Sequence, residues 1–311
     1  MIKYISKRII HIIPVLIGVS FISFSLLYVF PGDTAELIVM INTGTEPSPE
    51  MVEKFRAESG LDKPLHIQYI NWLSKAIRGD FGTSWSSGEP VMNEIMERLP
   101  ASAKLFFSTF AISVGFAFLL GILSTLYKDK IIDHACRIWS LLGISIPNFW
   151  LGLVLIWIFA VHFHLLPAFG YGSMEHLILP VLTWSMSFMA IKTRFIRTTL
   201  LEIMNEDYIT TAKAKGLSEK AVVLKHVLRN AMIPIITYLA LGMSHLIIGS
   251  VIVETVFAWP GLGSFLVKSV FTRDFPVVQA LIFLSAVLII GVNLVVDILY
   301  ALIDPRIRYS D

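Results

Sequence analysis

The chain has 311 residues, is 55% hydrophobic and only 15% charged, and carries a formal net charge of +2. Soluble domains are about one-quarter charged, so this composition, with a mean hydropathy of +0.73, excludes an ordinary water-soluble fold. Cys136 is the only cysteine, which excludes an intrachain disulfide, and with no positioned partner in the sequence it reads as a packing residue.

Apolar runs of about 20 residues read as membrane-crossing helices, because such a helix covers about 30 Å of hydrocarbon. Six are present, at roughly 9–30, 105–127, 138–161, 177–200, 231–256 and 277–303, which predicts an all-α integral membrane protein. The first run follows Lys3, Lys7 and Arg8. It is too long for the apolar core of a signal peptide and ends in Phe30-Pro31-Gly32-Asp33 with no small-x-small site, so an uncleaved anchor is expected over 1–30.

Residues 31–104 form one sizeable segment outside the membrane. Ser48 as N-cap, Pro49 at the first position and Glu50 in the first turn predict a helix that Gly60 can end. A second amphipathic helix is expected with Leu65, Tyr69, Trp72, Leu73 and Ile77 on one side. The stretch "GDFGTSWSSGEP" reads as a turn-rich loop. The core is then 105–311. Its fourth run is interrupted after residue 191 by Lys192, Arg194 and Arg197, so that helix is expected to continue out of the membrane. Pro147, Pro180 and Pro234 each interrupt an apolar run and permit a kink. With both termini cytoplasmic, the inner segments hold 16 basic residues and the outer ones 9, the asymmetry expected of an inner face.

Residues 205–230 are polar, basic and helix-forming between two apolar runs. Asn205 reads as an N-cap, Glu206 and Asp207 favour a first turn, Lys213 and Lys215 a last one, and Gly216 suits a left-handed terminus. Ser218 caps a second helix that passes His226 toward the fifth span. The predicted product is a helix–Gly–helix elbow. A solvated loop, a membrane-surface helix and a nucleic-acid patch compete with it. The first helix offers Ala212 and Ala214 rather than the bulky apolar face a surface helix needs. No aromatic platform supports nucleic acid. Small residues and a fixed turn fit a protein-docking elbow.

"YITTAKAKGLSEKAVVLKHVLRNAMIP" resembles the cytoplasmic coupling loop of binding-protein-dependent ABC importer permeases. The family's Glu-Ala-Ala triplet falls on Thr210, Thr211 and Ala212, without its acid, and Gly216 follows after three residues. The Ala-x-Ala-x-Gly run and His226, Leu228, Arg229 and Asn230 are similar to the dipeptide, oligopeptide and nickel branch. "GLDKPLHIQYINWL", "GDFGTS", "PVMNEIMERLPAS", "VIVETVFAWPGLGSFLVKSVFTRDFPVVQA" and "NLVVDILYALIDPRIR" resemble the same branch in the same order, while "SIPNFWLGLVLIW" and "LLPAFGYGSMEHLILP" look more like nickel permeases.

The resemblance implies the six-helix type I importer permease fold and a place in the bacterial inner membrane. It implies a second homologous permease, two ATPase subunits and an extracytoplasmic substrate-binding protein as partners, lipid around the chain, and no nucleic acid. Docking is expected at Tyr208, Thr211, Ala212, Ala214, Gly216, His226, Leu228, Arg229 and Asn230. No cofactor is expected on this chain, which lacks a phosphate-binding G-x-x-x-x-G-K-[ST] loop; ATP and Mg belong to the partner ATPases. The cargo implied is nickel or a nickel chelate, with a di- or oligopeptide as the alternative.

For the cargo path, Asn148, Trp150, Trp184, Met186, Met189, Met243 and His245 are candidates, a soft thioether lining suiting metal passage as well as plain packing. His162 and His164 are two apart, which on a helix points them to different sides, and His176 stands alone. Gly79, Asp80, Phe81 and Trp85 are expected to meet the binding protein. Asp297, with Arg306 as a candidate partner, and Glu254 are ionisable groups in or near the bilayer, on which a proton-coupled secondary transporter would rely.

Overall fold

A computed structural model describes residues 2–29 and 33–303, and among them regular structure is helical apart from one isolated bridge between Thr83 and Pro90. The chain divides into two compact units, one formed by 1–100 with 261–291, the other by 101–260 with 292–311.

The first unit opens with α1 (Ile2–Val29). A helix the sequence reading did not include follows, α2 (Thr34–Thr43), whose first turn is capped by the Asp33 carboxylate accepting from the Ala35 amide and whose end is closed by Gly44 at φ +68°. The signal was there in Asp33-x-x-Glu36, an N-terminal capping pattern. α3 (Pro49–Glu58) starts as expected, with Ser48 Oγ accepting from Met51 N, and Gly60 follows it at φ +68°. α4 (Leu65–Ala76) is amphipathic, but its buried face is turned from the expected one. Tyr69 and Trp72 pack on Phe24 of α1, and Tyr69 Oη lies 2.8 Å from Ser20 Oγ, while Leu65 and Ile77 stand 55% and 74% exposed. The inner stripe runs Tyr69–Trp72–Ala76, one of the helical repeats i, i+3, i+7.

Beneath the loop after α4, Phe81 and Ala76 form an apolar cluster with Val91 and Ile95 at the start of α5 (Val91–Leu126), Phe265 of α13 (Leu262–Phe271) and Val277, Leu281 and Phe283 of α14 (Phe275–Ile303). Asp274 holds the loop itself. Its buried carboxylate accepts from Ser84 Oγ at 2.5 Å and from the amides of Trp85 and Ser86 at 3.2 Å, and the Trp85 ring lies between Phe55 and Phe275.

In the second unit the central element is α8 (Glu175–Met204), half of whose thirty residues are buried. The sequence marks this run as the least continuous apolar one; the reason is that Thr183, Ser185, Lys192, Thr193 and Thr199 face protein, while Arg194 is exposed. α6 (Ile131–Ser145) and α7 (Asn148–Leu155), which continues as a π-helical segment to His162, were expected as one span over 138–161. They are instead a pair bent by 105°. The bend falls at Ile146-Pro147, where Ile146 is extended (ψ 122°), the conformation that a following proline imposes. The fifth run is two helices, α11 (Leu228–Leu241) and α12 (Met243–Val256), meeting at Gly242. Pro180 and Pro234 lie inside continuous helices. α5, the run Glu219–Leu241, α14 and the bent pair are long and apolar enough to cross a membrane.

Two apolar clusters share α8. One joins Leu177, Leu179 and Trp184 to Ala101, Leu105, Phe257 and Trp259, whose indole Nε1 donates to Ala101 O at 2.9 Å. The other joins Met189, Ile196 and Leu200 to Ala117, Val222, Val227, Ala231 and Ile235. Glycines let the neighbours approach closely. A Cβ on Gly143 of α6 would stand 2.7 Å from Ala190 Cβ, and one on Gly121 of α5 would stand 2.6 Å from Ile196 Cγ2. Gly143→Val therefore overpacks the α6–α8 contact and should destabilise the detergent-solubilised protein by about 1–3 kcal/mol. A thermal-unfolding midpoint several degrees lower is expected, while Gly115→Ala, with open space at its Cβ, leaves the midpoint in place. Equal midpoints for both would show that the helices do not meet there.

Candidate functional site

The elbow predicted at 205–230 is present. α8 ends at Met204 with Asn205 as its C-cap, so Asn205 is not the N-cap of the next helix; Glu206 takes that place, its carbonyl accepting from Ile209 and Thr210. α9 (Asp207–Ala214) follows, then Gly216 at φ +81°, a conformation that an L side chain strains. Ser218 Oγ accepts from Ala221 N at 3.4 Å and opens α10 (Glu219–Val222), which runs through a π-helical segment, Val223–Val227, into α11. The irregular turn is accordingly confined to residues 215–218.

The elbow has an inside and an outside. Ile209 and Ala212 of α9, with Val222 and Val227, are buried against Ile196 and Leu200 of α8, and Leu228 is half-buried on the same cluster. Of the residues expected to dock, Ala212 is thus turned into the protein's own core, because the repeat 209, 212 and the partner positions 222, 227 close one apolar face. His226 is half-buried. Tyr208, Thr211, Ala214, Gly216, Arg229 and Asn230 are exposed, and so are two residues the sequence reading passed over, Leu217 and Leu224. Leu217 stands next to the Ser218 cap, a position that the sequence does mark. Asn230 Nδ2 donates to Tyr208 Oη and to His226 O, both at 3.0 Å, and so closes the elbow's two arms on each other. The Lys213 side chain lies outside the described residues.

Among the described residues, those proposed for a cargo path are not gathered at one place. Trp184 and Met189 belong to the two separate clusters on α8, Met186 packs beside Gly143, and Trp150 is exposed. Asn148 Oδ1 accepts from Ser187 Oγ at 2.7 Å and ties the start of α7 to α8. Met243 is half-buried, and the His245 side chain lies outside the described residues, as does Arg306. His162 stacks on Trp157 and His164 is exposed in a left-handed turn (φ 51°). His176 Nδ1 lies 2.8 Å from Ser173 Oγ. Among the described residues no three His, Cys, Asp or Glu side chains are grouped to hold a metal. Glu254 is fully buried and accepts from Ser102 Oγ at 2.7 Å; Asp297 is half-buried. Cys136 is buried, as a packing residue would be.

In the loop after α4, Gly79 is left-handed (φ +79°), Asp80 accepts from Gly82 N, Trp85 is half-buried, and Phe81 is buried in the core.

Two charged groups on α8, the buried Lys192 and the half-buried Arg197, escaped the sequence reading, which took them only as charges ending an apolar run. Lys192 is 5% exposed; its Nζ donates to Tyr238 O at 2.9 Å and lies over the Tyr238 and Phe188 rings at 3.8 and 4.7 Å. Gly242 makes room for it, since a Cβ there would stand 2.4 Å from Nζ. Arg197 Nε and Nη2 donate to the two oxygens of the fully buried Asp133 at 2.8 and 2.7 Å. Truncating Arg197 would leave the buried Asp133 carboxylate without its cation, at a cost of about 3–5 kcal/mol.

Residues 117–309 match the family described as the binding-protein-dependent transport system inner membrane component, and residues 1–106 match the N-terminal membrane component of the same systems. The chain belongs to this permease family. A glutathione transport system permease protein, GsiC, from Escherichia coli (strain K12) is 43% identical over 310 residues, covering 100% of both chains. Its counterpart in Salmonella choleraesuis (strain SC-B67) is 41% identical with the same coverage. The inward-facing MetNI methionine ABC transporter has a chain similar in fold, with a TM-score of 0.54 and 17% identity, over 68% of this chain and 97% of that one. The expected type I ABC permease fold is therefore present, whereas the lean toward nickel finds no echo in these relatives.

The Tyr208–Asn230 hydrogen bond is exposed and worth about 0.5–1.5 kcal/mol. Tyr208→Phe should speed amide exchange within 207–214 by about twofold to tenfold without changing membrane insertion. Unchanged exchange would show that the two arms are held by apolar contact alone.

Proposed function

We propose that this permease forms half of the translocation path of an ABC importer for a small peptide of the glutathione kind. The observation that carries the cargo is the full-length similarity, 43% identity from end to end, to permeases named for glutathione transport. A second homologous permease supplies the other half of the path. Two ATPase subunits provide the ATP and Mg chemistry, and a binding protein delivers cargo on the side of residues 31–104. Both termini and the elbow face the cytoplasm, in keeping with the basic-residue asymmetry.

The geometry supports this reading at the elbow. A docking element must present side chains outward while passing force inward. Here Tyr208, Thr211, Leu217 and Leu224 face out, and Ile209, Ala212, Val222 and Val227 lock onto α8. ATP-driven closure of the ATPases would press on the outer set and move α8 through the inner one.

The test is uptake into liposomes holding the complete complex. ATP-dependent import of labelled glutathione, undiminished by excess Ni²⁺, is expected. Import of nickel without peptide would overturn the cargo, and import on a proton gradient without ATPases would overturn the mechanism. Gly216→Val probes docking itself, because a side chain at φ +81° misdirects the second arm. The variant should insert normally yet fail to co-purify with the ATPases, or co-purify without stimulated hydrolysis, while exposed Lys220→Ala behaves as wild type. Native coupling by Gly216→Val would reduce the elbow to a connecting loop.

A further inference from the structure

α8 is attached on two sides within two turns. Ile196 and Leu200 hold the elbow through Ile209, Ala212, Val222 and Val227. Arg197, between them, reaches Asp133 on α6 with both its Nε and Nη2. That carboxylate also accepts the Ser124 hydroxyl of α5 and, at 3.0 Å, the Asp129 amide of the turn between α5 and α6. Four donors from three segments converge on one buried side chain. We infer that the Asp133–Arg197 clasp is the positioning element through which movement of the elbow is passed to α5 and α6.

The physical case rests on what apolar packing cannot do. Among lipid tails, apolar helix contacts gain little over lipid contacts, so they resist sliding and rotation weakly. The close approaches at Gly121 and Gly143 fix how near α5 and α6 come to α8. They do not fix register. A bidentate guanidinium–carboxylate pair does, because both its bonds are lost by a small rotation of either partner. The clasp lies in the same stretch of α8 that grips the elbow, about 6 Å of helix from Ile196 to Leu200, so displacement there has no intervening soft segment to be lost in. Asp133 and Arg197 are thus positioning residues for transport; neither need touch cargo or nucleotide.

This inference rests on the elbow being the place where the ATPases press. The experiment uses the whole complex in liposomes and reads three quantities: assembled ATPase, binding-protein-stimulated hydrolysis, and cargo imported per ATP. Asp133→Asn is isosteric and should assemble and hydrolyse ATP near the wild-type rate. Its cargo per ATP should fall about tenfold, since the charge-assisted bonds are lost. Arg197→Lys, which keeps the charge and loses the fork, should fall in between, about threefold. The exchange Asp133→Arg with Arg197→Asp should recover part of the ratio. If Asp133→Asn does not assemble, Arg197→Lys carries the measurement alone. Cargo per ATP at the wild-type level in the variants that assemble, or, in Arg197→Lys, uptake and hydrolysis falling together with assembled complex, would overturn the proposal and leave a merely structural ion pair. Failure of the elbow reading shows separately, as full ATPase stimulation in Gly216→Val.

Discussion

A helix surrounded by hydrocarbon gains little by hiding leucine, since lipid is as apolar as a neighbouring helix. What holds one such helix against another is close backbone approach and polar contact, and α8 concentrates both. Gly143 and Gly121 bring α6 and α5 against it, Asp133 takes its guanidinium, and the Tyr238 carbonyl takes the Lys192 amine. The rest of the second unit is arranged around that helix. Its buried polar residues, Lys192 and Thr193 among them, look out of place in an apolar run and are there because protein rather than lipid surrounds them.

This explains what could be read from the chain and what could not. The elbow was legible almost to the residue because its determinants are local: a glycine for one left-handed turn, a serine cap two residues later, and an apolar repeat on each side. α3 was legible for the same reason. The bend at Pro147 was foreshadowed by the proline, but nothing local distinguishes it from Pro180 and Pro234, which helices absorb. The inward turn of α4's Tyr69–Trp72–Ala76 stripe, and of Phe81, depends on partners far away in sequence. The Asp133–Arg197 pair spans 64 residues and has no spacing rule. The described cargo-path candidates are spread over separate clusters, and methionine and tryptophan spaced along a helix mark packing as readily as passage.

The elbow also shows that side-chain identity alone does not say which face of a helix is exposed. Ala212 sits in the family-like triplet, yet its methyl group fills the cluster beneath the elbow. Leu217 and Leu224, outside the triplet, are exposed. An amphipathic element has two readable faces, and only tertiary context says which one a partner sees.

A mechanical consequence follows from Asp274. Residue 274 stands immediately before α14, where a carboxylate would ordinarily serve the first amides of its own helix. It is committed instead to Ser84, Trp85 and Ser86. The loop is therefore less a flap than a handle welded to the helix end: whatever grips Trp85 pulls directly on the first turn of a 29-residue rod.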